Sequence, residues 1–141
     1  MILTITGVCF VDNGRLLTVR KKNTHKFMLV GGKLEPGETA IEAASREVLE
    51  EVGLTRSSDQ LTLLGAYDEI AANEPGWRVS STIFVAAPLT DDEKSTLHPR
   101  AEIAEITWLD LAANPPTDLA PLLAKHVVPA LRNRLPIAPE G

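Results

Sequence analysis

Apolar and polar residues follow two different periods along the chain, and together these periods predict a mixture of strands and helices. Residues 2–11 are apolar and rich in β-branched side chains, which is typical of a buried strand. Asn13 and Gly14 predict a hairpin turn, since both tolerate the positive φ of tight turns. Residues 15–20 then predict the returning strand. Further strands are predicted over residues 27–30, 61–70, 77–87 and 102–109.

A period of 3.6 residues over 39–52 predicts the clearest helix. Thr39 and Glu42 form the T-x-x-E pattern of a capping box at its start. Gly53 follows the last periodic residue, where a glycine commonly ends a helix in the left-handed conformation. Both ends of this helix are therefore encoded locally.

The order of the remaining elements indicates the fold class. Residues 118–132 carry apolar positions at helical spacing and predict a closing helix, whereas the polar stretch 88–99 favours a loop. One helix on each face of a mixed β-sheet gives an α/β fold, an α/β/α sandwich. We expect one domain over residues 1–135 and a frayed tail over 136–141.

The composition is that of a globular protein. Of the 141 residues, 44% are hydrophobic and 23% are charged, which excludes a disordered chain. No apolar run approaches the roughly 20 residues of a membrane-spanning helix, and the first residues lack a secretion signal. We therefore expect a cytoplasmic protein that does not associate with membranes. The single Cys9 excludes an intrachain disulfide and a cysteine-based zinc site.

The net charge of −5 argues against a general nucleic-acid-binding protein, whose affinity depends on neutralising phosphates. The distribution of charge is more informative. Residues 13–34 contain no acid and six bases, whereas residues 35–51 contain six acids and one base, Arg46. Such runs are usually two solvated faces of opposite sign. A basic segment that leads into an acidic one is also suited to hold an anionic substrate beside a bound cation.

Three carboxylates share one edge of the predicted helix. Glu47, Glu50 and Glu51 occupy an arc of about 100° beside the apolar arc. An exposed helix tolerates the few tenths of a kcal/mol that each repelling pair costs. Gly31 and Gly32 precede these acids in the sequence and favour a second interpretation, in which the acids bind a metal ion. Mg²⁺ prefers carboxylate and carbonyl oxygens and leaves room for substrate phosphates, so this arrangement suits a half-open magnesium site.

Residues 32–54 resemble the Nudix box, which is written G-x5-E-x7-R-E-U-x-E-E-x-G-U with U an aliphatic residue. Every position is matched without insertion, and at average residue frequencies a chance match has a probability of roughly 10⁻⁸. The order of the flanking strands and helices is also similar to the family's sandwich. The resemblance implies a hydrolase that uses Mg²⁺, or Mn²⁺ as an alternative, to cleave a nucleoside diphosphate linked to another moiety.

The resemblance also implies roles for the matched residues. Glu47, Glu50 and Glu51 match the box carboxylates that hold the metal, and Glu47 is in addition a candidate for positioning or deprotonating water. Gly31 matches the residue whose carbonyl usually contacts the metal. Val30 stands where many members have proline, which affects the shape of the loop more than its chemistry.

Further catalytic candidates lie on either side of the metal ligands. Arg46 matches the arginine that orients its neighbouring glutamate, and Glu38 matches a loop glutamate that assists metal binding or the base. Members of the family often add an acid from a late loop before the final strand. Glu102, six residues before Trp108, is the candidate here, and Glu105 is the alternative. An ordinary solvent-facing position in a strand accounts equally well for both glutamates.

Candidate substrate contacts are less specific. Lys21, Lys22, Lys26 and Lys33 are candidates for binding phosphate charge, although each is also an ordinary surface lysine. Trp77 follows a predicted turn and is a candidate for stacking on a base. Members specific for ADP-ribose or dinucleoside polyphosphates carry proline or tyrosine about sixteen residues past the box, and counting from Leu54 reaches Ile70. These two specificities therefore gain no support.

A small chain of this kind most resembles the nucleoside-triphosphate pyrophosphatases, including those that remove oxidised nucleotides. A nucleotide-sugar or dinucleotide pyrophosphatase is one alternative. Another is a Nudix-fold module that binds a nucleotide without cleaving it, but such modules tend to lose box glutamates and this chain keeps all of them. The expected partner is a small nucleoside diphosphate derivative, and both a monomer and a homodimer stay open.

Overall fold

A computed structural model describes residues 1–134 as seven strands, three helices and one 3₁₀ turn, Ser58–Gln60. The predicted frayed tail, 136–141, lies outside the described residues. The strands are β1 (Ile2–Cys9), β2 (Val11–Asp12), β3 (Arg15–Lys21), β4 (Val30–Lys33), β5 (Leu61–Ile70), β6 (Arg78–Ala86) and β7 (Ile103–Asp110). They form a four-stranded sheet with the order β4-β1-β6-β5 and a three-stranded sheet with the order β2-β3-β7. Because β1 pairs antiparallel with β4 and parallel with β6, the four-stranded sheet is mixed, as predicted.

The helices cover both faces of the four-stranded sheet. They are α1 (Ala40–Val52), α2 (Asp91–Thr96) and a C-terminal helix with a π-helical turn over Leu123–Val127 that continues as α3 (Val128–Arg134). Val48 of α1 packs in one apolar cluster with Val8, and Leu123 of the C-terminal helix packs in a second cluster with Ile83. The predicted α/β/α sandwich is confirmed. No helix within residues 1–134 has the length and apolar character needed to cross a membrane.

Helix α1 begins and ends where the sequence predicts. The Thr39 hydroxyl accepts a hydrogen bond from the Glu42 backbone N–H at 3.2 Å, and the Glu42 carboxylate accepts one from the Thr39 N–H at 2.9 Å. Gly53 ends the helix with a φ of 71°. These contacts satisfy backbone groups that a helix leaves unpaired at its ends, and they fix the position of the glutamate edge.

The prediction of a strand over 27–30 is confirmed only in part: Phe27 and Met28 form isolated β-bridges, and strand β4 runs from Val30 through two glycines to Lys33. Glycine generally destabilises a strand, but here it permits β4 to approach β1 closely. A Cβ atom at Gly31 would lie 2.1 Å from the Thr6 carbonyl oxygen. The pairing of β4 with β1 therefore requires glycine at this position.

The loop predicted over 88–99 contains the short helix α2. Thr90 and Glu93 form a complete capping box at its start, so the sequence signal is the same as at the start of α1. The C-terminal helix begins later than predicted, since residues 118–120 pair with the Phe27 backbone. The Phe27 N–H donates to the Asp118 carbonyl, and the Ala120 N–H donates to the Phe27 carbonyl, both at 2.8 Å.

Candidate active site

The Gly31-Gly32 segment of β4 lies against the glutamate edge of α1. The Gly31 N–H donates to Glu51 Oε1 at 3.1 Å and therefore points away from β1. Because the N–H and C=O groups of one strand residue point to the same side, the Gly31 carbonyl lies on this edge as well. The structure thus brings the backbone of Gly31 and the carboxylate of Glu51 together.

Glu51 is a buried acid. Only 5% of its surface is exposed, and the Gly31 N–H is its one hydrogen-bond donor among the described residues. Burial raises the pKa of Glu51 to about 8 against the lowering effect of the Gly31 N–H, and the charge of Glu47 raises it further. A buried carboxylate is costly unless a cation or several donors accompany it. The surroundings of Glu51 therefore favour a bound cation.

Glu47 lies directly over Gly32. A Cβ atom at Gly32 would come within 2.3 Å of Glu47 Oε2, so a residue with a side chain would displace this carboxylate. Burial raises the pKa of Glu47, and the charge of the neighbouring Arg46 opposes that shift. The glycine at position 32 is thus what lets Glu47 approach the strand.

Arg46 connects the loop before α1 to the glutamate edge. Its Nε and Nη2 atoms donate to the two carboxylate oxygens of Glu38 at 2.8 and 2.9 Å, and its Nη1 donates to Glu47 Oε2 at 3.2 Å. The paired hydrogen bonds from Arg46 hold the pKa of Glu38 down at about 2. Nη2 also donates to the Lys33 carbonyl at 3.0 Å. Bidentate contacts of this kind hold a carboxylate in one orientation and also stabilise its negative charge. This agrees with the role of orienting the neighbouring glutamate that the resemblance implies for Arg46.

Lys21 is one of the four lysines that the sequence offers as candidates for binding phosphate charge. Its positive charge opposes the rise in the pKa of both Glu47 and Glu51, which places it beside both acids. Lys21 is one of several lysines in the basic segment, and no local pattern separates it from Lys22. The distinction comes from the fold, which brings the charge of Lys21, but not that of Lys22, to Glu47 and Glu51.

The donor set fits a hard divalent cation. Within residues 1–134, no three carboxylates, imidazoles or thiols are arranged to hold a metal ion. Glu47 accepts a hydrogen bond from Arg46, and Glu51 accepts one from the Gly31 N–H. Glu50 is 54% exposed and lies 3.6 Å from Arg46 Nη1. The oxygens of these three glutamates and of the Gly31 carbonyl are nevertheless the ligand type that Mg²⁺ and Mn²⁺ prefer. The buried charge of Glu51 supplies a reason for a cation to bind.

An aliphatic cleft lies between the four-stranded sheet and the start of the C-terminal helix, on the face opposite α1, and it reaches the Gly31-Gly32 segment of the edge strand β4. Its apolar walls include Leu3, Ile5, Leu29, Ile83 and Leu122. Its polar end is formed by Gly31, Gly32, Lys21 and Lys33. Of the predicted substrate contacts, Lys33 therefore lines the cleft.

Lys21, a further predicted substrate contact, also lines the cleft, whereas Lys22, Lys26 and Trp77 do not. Lys22 is exposed after the end of β3, and Trp77 is half-buried in the turn before β6. The predicted strand over 77–87 begins one residue later, at Arg78, so Trp77 belongs to the turn. Its backbone N–H donates to the Glu74 carbonyl at 3.1 Å.

Glu102 lies in the turn before β7 and not in the strand predicted over 102–109. Its carbonyl accepts a hydrogen bond from the Lys22 N–H at 2.8 Å, and its charge raises the pKa of Glu51. Glu105 is in β7 and pairs with Arg20 Nε at 3.1 Å. The prediction that one strand carries both glutamates is therefore wrong, yet Glu102 lies near the buried acid and Glu105 has a separate partner.

Comparison with known proteins agrees with this geometry. The sequence model of the NUDIX domain matches residues 2–131. A MutT-like protein from Streptomyces ambofaciens is 31% identical over 139 residues, which cover 91% of this chain and 88% of that protein. An ADP-ribose pyrophosphatase from Methanocaldococcus jannaschii is 39% identical over 85 residues, which cover 59% of this chain and 48% of that protein.

The fold has a solved counterpart as well. The crystal structure of a MutT NUDIX hydrolase from Burkholderia pseudomallei superposes with a TM-score of 0.69 at 24% identity, covering 96% of this chain and 99% of that one. Nudix hydrolases generally use divalent metal ions, in agreement with the donor set around Glu51. The complete box, the sandwich fold and the match over residues 2–131 show that this chain belongs to the Nudix family and is a pyrophosphohydrolase.

Proposed function

We propose that this chain hydrolyses a nucleoside triphosphate, including oxidised forms, to the nucleoside monophosphate and pyrophosphate with Mg²⁺, or Mn²⁺ as the alternative ion. One observation carries the proposal: the aliphatic cleft and the glutamate edge share Gly31, Gly32 and Lys21. A single substrate that joins a flat aromatic base to a chain of phosphates would reach both surfaces. The expected partner is therefore a small nucleotide and not a macromolecule.

One group of residues would bind the metal ion and the phosphates. Glu47, Glu50 and Glu51 with the Gly31 carbonyl would hold a divalent cation, which when bound supplies charge neutralisation at the phosphate oxygens and activates water. Lys21 and Lys33 line the cleft and supply fixed positive charge to the remaining phosphate oxygens.

Positioning comes from a second group of residues. Arg46 holds Glu38 and Glu47 in fixed orientations, which keeps Glu47 facing the strand. Glu102, on the turn before β7, orients the attacking water. Fixed groups of this kind lower the barrier because no reorganisation is needed as charge develops.

The similarity to the archaeal ADP-ribose pyrophosphatase supports a second candidate substrate. It covers 59% of this chain. Ile70 at the position where ADP-ribose-specific members carry proline argues for the triphosphate instead. A nucleoside triphosphate and ADP-ribose both present a diphosphate linkage to the same glutamates, so only an assay with both compounds can distinguish the two candidates.

A product analysis over a panel of nucleotides tests the proposal. With Mg²⁺, we expect nucleoside triphosphates to give the monophosphate and pyrophosphate, and ¹⁸O-labelled water to place the label on the attacked phosphorus. The panel includes the four deoxynucleoside triphosphates, their oxidised forms, nucleotide sugars and ADP-ribose. Orthophosphate and a nucleoside diphosphate as main products would contradict the proposal, and faster release of AMP from ADP-ribose would select the second candidate.

The proposed role of Glu102 predicts different effects of two similar substitutions. Glu102→Gln is expected to lower kcat more than tenfold, about 1.4 kcal/mol of transition-state stabilisation, because the side chain orients water near Glu51. Glu105→Gln is expected to stay within about threefold, since Glu105 is paired with Arg20. Steady-state kinetics on the best substrate measures both. Equal effects, or a larger effect at Glu105, would refute the assignment.

A further inference from the structure

Thr6 carries a buried hydroxyl that makes no hydrogen bond. Thr6 is 2% exposed, and its Oγ1 is the one buried side-chain nitrogen or oxygen within residues 1–134 that lacks a partner. Burying a hydroxyl without a partner destabilises a fold, and such groups are rare in native proteins. The position of Thr6 therefore needs an explanation other than packing.

Packing alone favours a different residue at this position. Val8, two residues further along β1, points to the same face and packs in the apolar cluster with Val48 of α1. Valine has nearly the shape of threonine and suits strands equally well. A valine at position 6 would continue the apolar row without an unpaired hydroxyl. The fold thus keeps a polar group where an apolar one is more stable.

The strand register shows which side of the sheet Thr6 faces. Thr6 pairs with Gly32 across β1 and β4, and directly opposed residues point to the same face with Cβ atoms about 5 Å apart. The Cβ direction of Gly32 leads straight to the Glu47 carboxylate, with Oε2 at 2.3 Å and Oε1 at 3.4 Å from the ideal Cβ position. Thr6 therefore faces the same space as Glu47, about the width of one strand away.

Donor and acceptor are complementary across this space. Arg46 Nη1 donates to Glu47 Oε2 at 3.2 Å, whereas Oε1 of the same carboxylate accepts no hydrogen bond from a described residue. The Thr6 hydroxyl is a donor without an acceptor. Gly32, which pairs with Thr6 and lies under Glu47, has no side chain to stand between the two groups.

We propose that Thr6 is a positioning residue, whose hydroxyl donates a hydrogen bond to Glu47 Oε1 and, together with Arg46, fixes the orientation of this carboxylate during hydrolysis. The inference rests on the proposed role of Glu47. Arg46 holds one carboxylate oxygen and Thr6 the other, so Glu47 cannot turn away from the reacting groups. Groups that orient a metal-binding carboxylate typically change metal affinity or activity 10- to 100-fold when removed.

Thr18 supplies a matched control, because it is an equally buried threonine whose hydroxyl has a partner. Thr18 is 1% exposed, and its Oγ1 donates to the Thr107 carbonyl at 2.8 Å. Thr6→Val and Thr18→Val are therefore expected to have opposite effects. Thr6→Val keeps or raises the Tm of the metal-free protein and lowers kcat about tenfold, with KM changed less than twofold. Thr18→Val lowers Tm and leaves kcat unchanged.

Three further measurements separate positioning from a structural role. Thr6→Ser, which keeps the hydroxyl, is expected to restore kcat to within about threefold of the wild type. Thr6→Val is expected to weaken Mn²⁺ binding about tenfold, as measured from the electron paramagnetic resonance signal of the free ion. In a Glu47→Gln background, Thr6→Val is expected to lower kcat less than twofold, because the two residues act through one contact.

The outcomes of these experiments distinguish a failure of the inference on Thr6 from a failure of the proposed function. An active Thr6→Val protein with wild-type kcat and Mn²⁺ affinity would overturn the inference and leave the proposed function intact. An increase in KM alone would also overturn it, since a residue that orients Glu47 during hydrolysis acts on kcat. Wild-type protein that hydrolyses no nucleotide in the panel would overturn the proposed function and this inference with it.

Discussion

Glutamine in place of Glu51 is expected to lower kcat by two or more orders of magnitude while the melting temperature of the metal-free protein stays the same or rises. Glutamine keeps an Oε1 atom that accepts the Gly31 N–H, so the contact at 3.1 Å survives. It removes a negative charge that burial and the neighbouring Glu47 both disfavour. The substitution thus separates the proposed metal-binding role of Glu51 from any role in stability.

Two comparisons make this test specific. Glu50→Gln is also expected to reduce activity strongly, but with no change in Tm, because Glu50 is half exposed and has no burial cost to relieve. Glu105→Gln changes the same charge on β7 and is expected to leave kcat within about threefold. Calorimetry and steady-state kinetics on the same protein preparations supply both readouts. Wild-type kcat in both the Glu50 and Glu51 variants would rule out the assignment of the metal site.

The sequence predicts the parts of the site that are encoded within one helix. Thr39, Glu42 and Gly53 fix both ends of α1 through contacts between near neighbours, so the glutamate edge follows from a helical period alone. The fold class also follows, because strands interleaved with helices leave few ways to cover a sheet. The box residues that α1 and its preceding loop bring together are therefore predictable from the amino-acid sequence.

The remaining parts of the site depend on contacts between distant segments. The place of Gly31 in a strand follows from its close approach to Thr6, which no local propensity encodes. Lys21 differs from Lys22 only because the fold brings it to the cleft and to the glutamates. The unpaired hydroxyl of Thr6 appears only once β1, β4 and α1 are assembled, since Thr6 alone is an ordinary strand residue. Helix α2 is a different case, because its capping box at Thr90 is a local signal within a polar stretch that otherwise favours a loop.

Arg56 is the centre of a buried hydrogen-bond network outside the active site. We expect changes to this network to have a large effect on the free energy of unfolding. Arg56 is 5% exposed, and its guanidinium lies 5.3 Å from the ring centre of Phe10. It donates to the carbonyls of Thr55, Ala87 and Pro88 at 2.8 to 3.1 Å. Two more hydrogen bonds, both 2.8 Å long, reach the two carboxylate oxygens of Glu93. Arg56 thereby ties the segment after α1 to the start of α2.

The hydrogen bonds between Arg56 and Glu93 also predict how the free energy of unfolding changes at acid pH. Hydrogen bonds from Arg56 lower the pKa of Glu93 from 4.5 to about 2. Because the pKa in the folded protein lies below that of the unfolded chain, the contribution of Glu93 is complete above about pH 4.5. It is lost as the pH falls from 4.5 towards 2. Glu93→Gln is expected to remove this part of the acid dependence and to lower the free energy of unfolding at pH 7 by about 1–3 kcal/mol.

Arg56→Met is expected to lower the free energy of unfolding by about 3–5 kcal/mol, because it leaves a carboxylate and three carbonyls without their donor. Arg56→Lys is expected to cost about 2–4 kcal/mol, since an ammonium keeps the charge but cannot donate to all five acceptors. Lys94→Met, which removes the exposed ion pair with Asp12 at 3.0 Å, is the control and is expected to change stability by less than about 1 kcal/mol. Urea denaturation at pH 7 measures all three. A loss at Arg56 no larger than the loss at Lys94 would show that the buried guanidinium does not hold α2 in place.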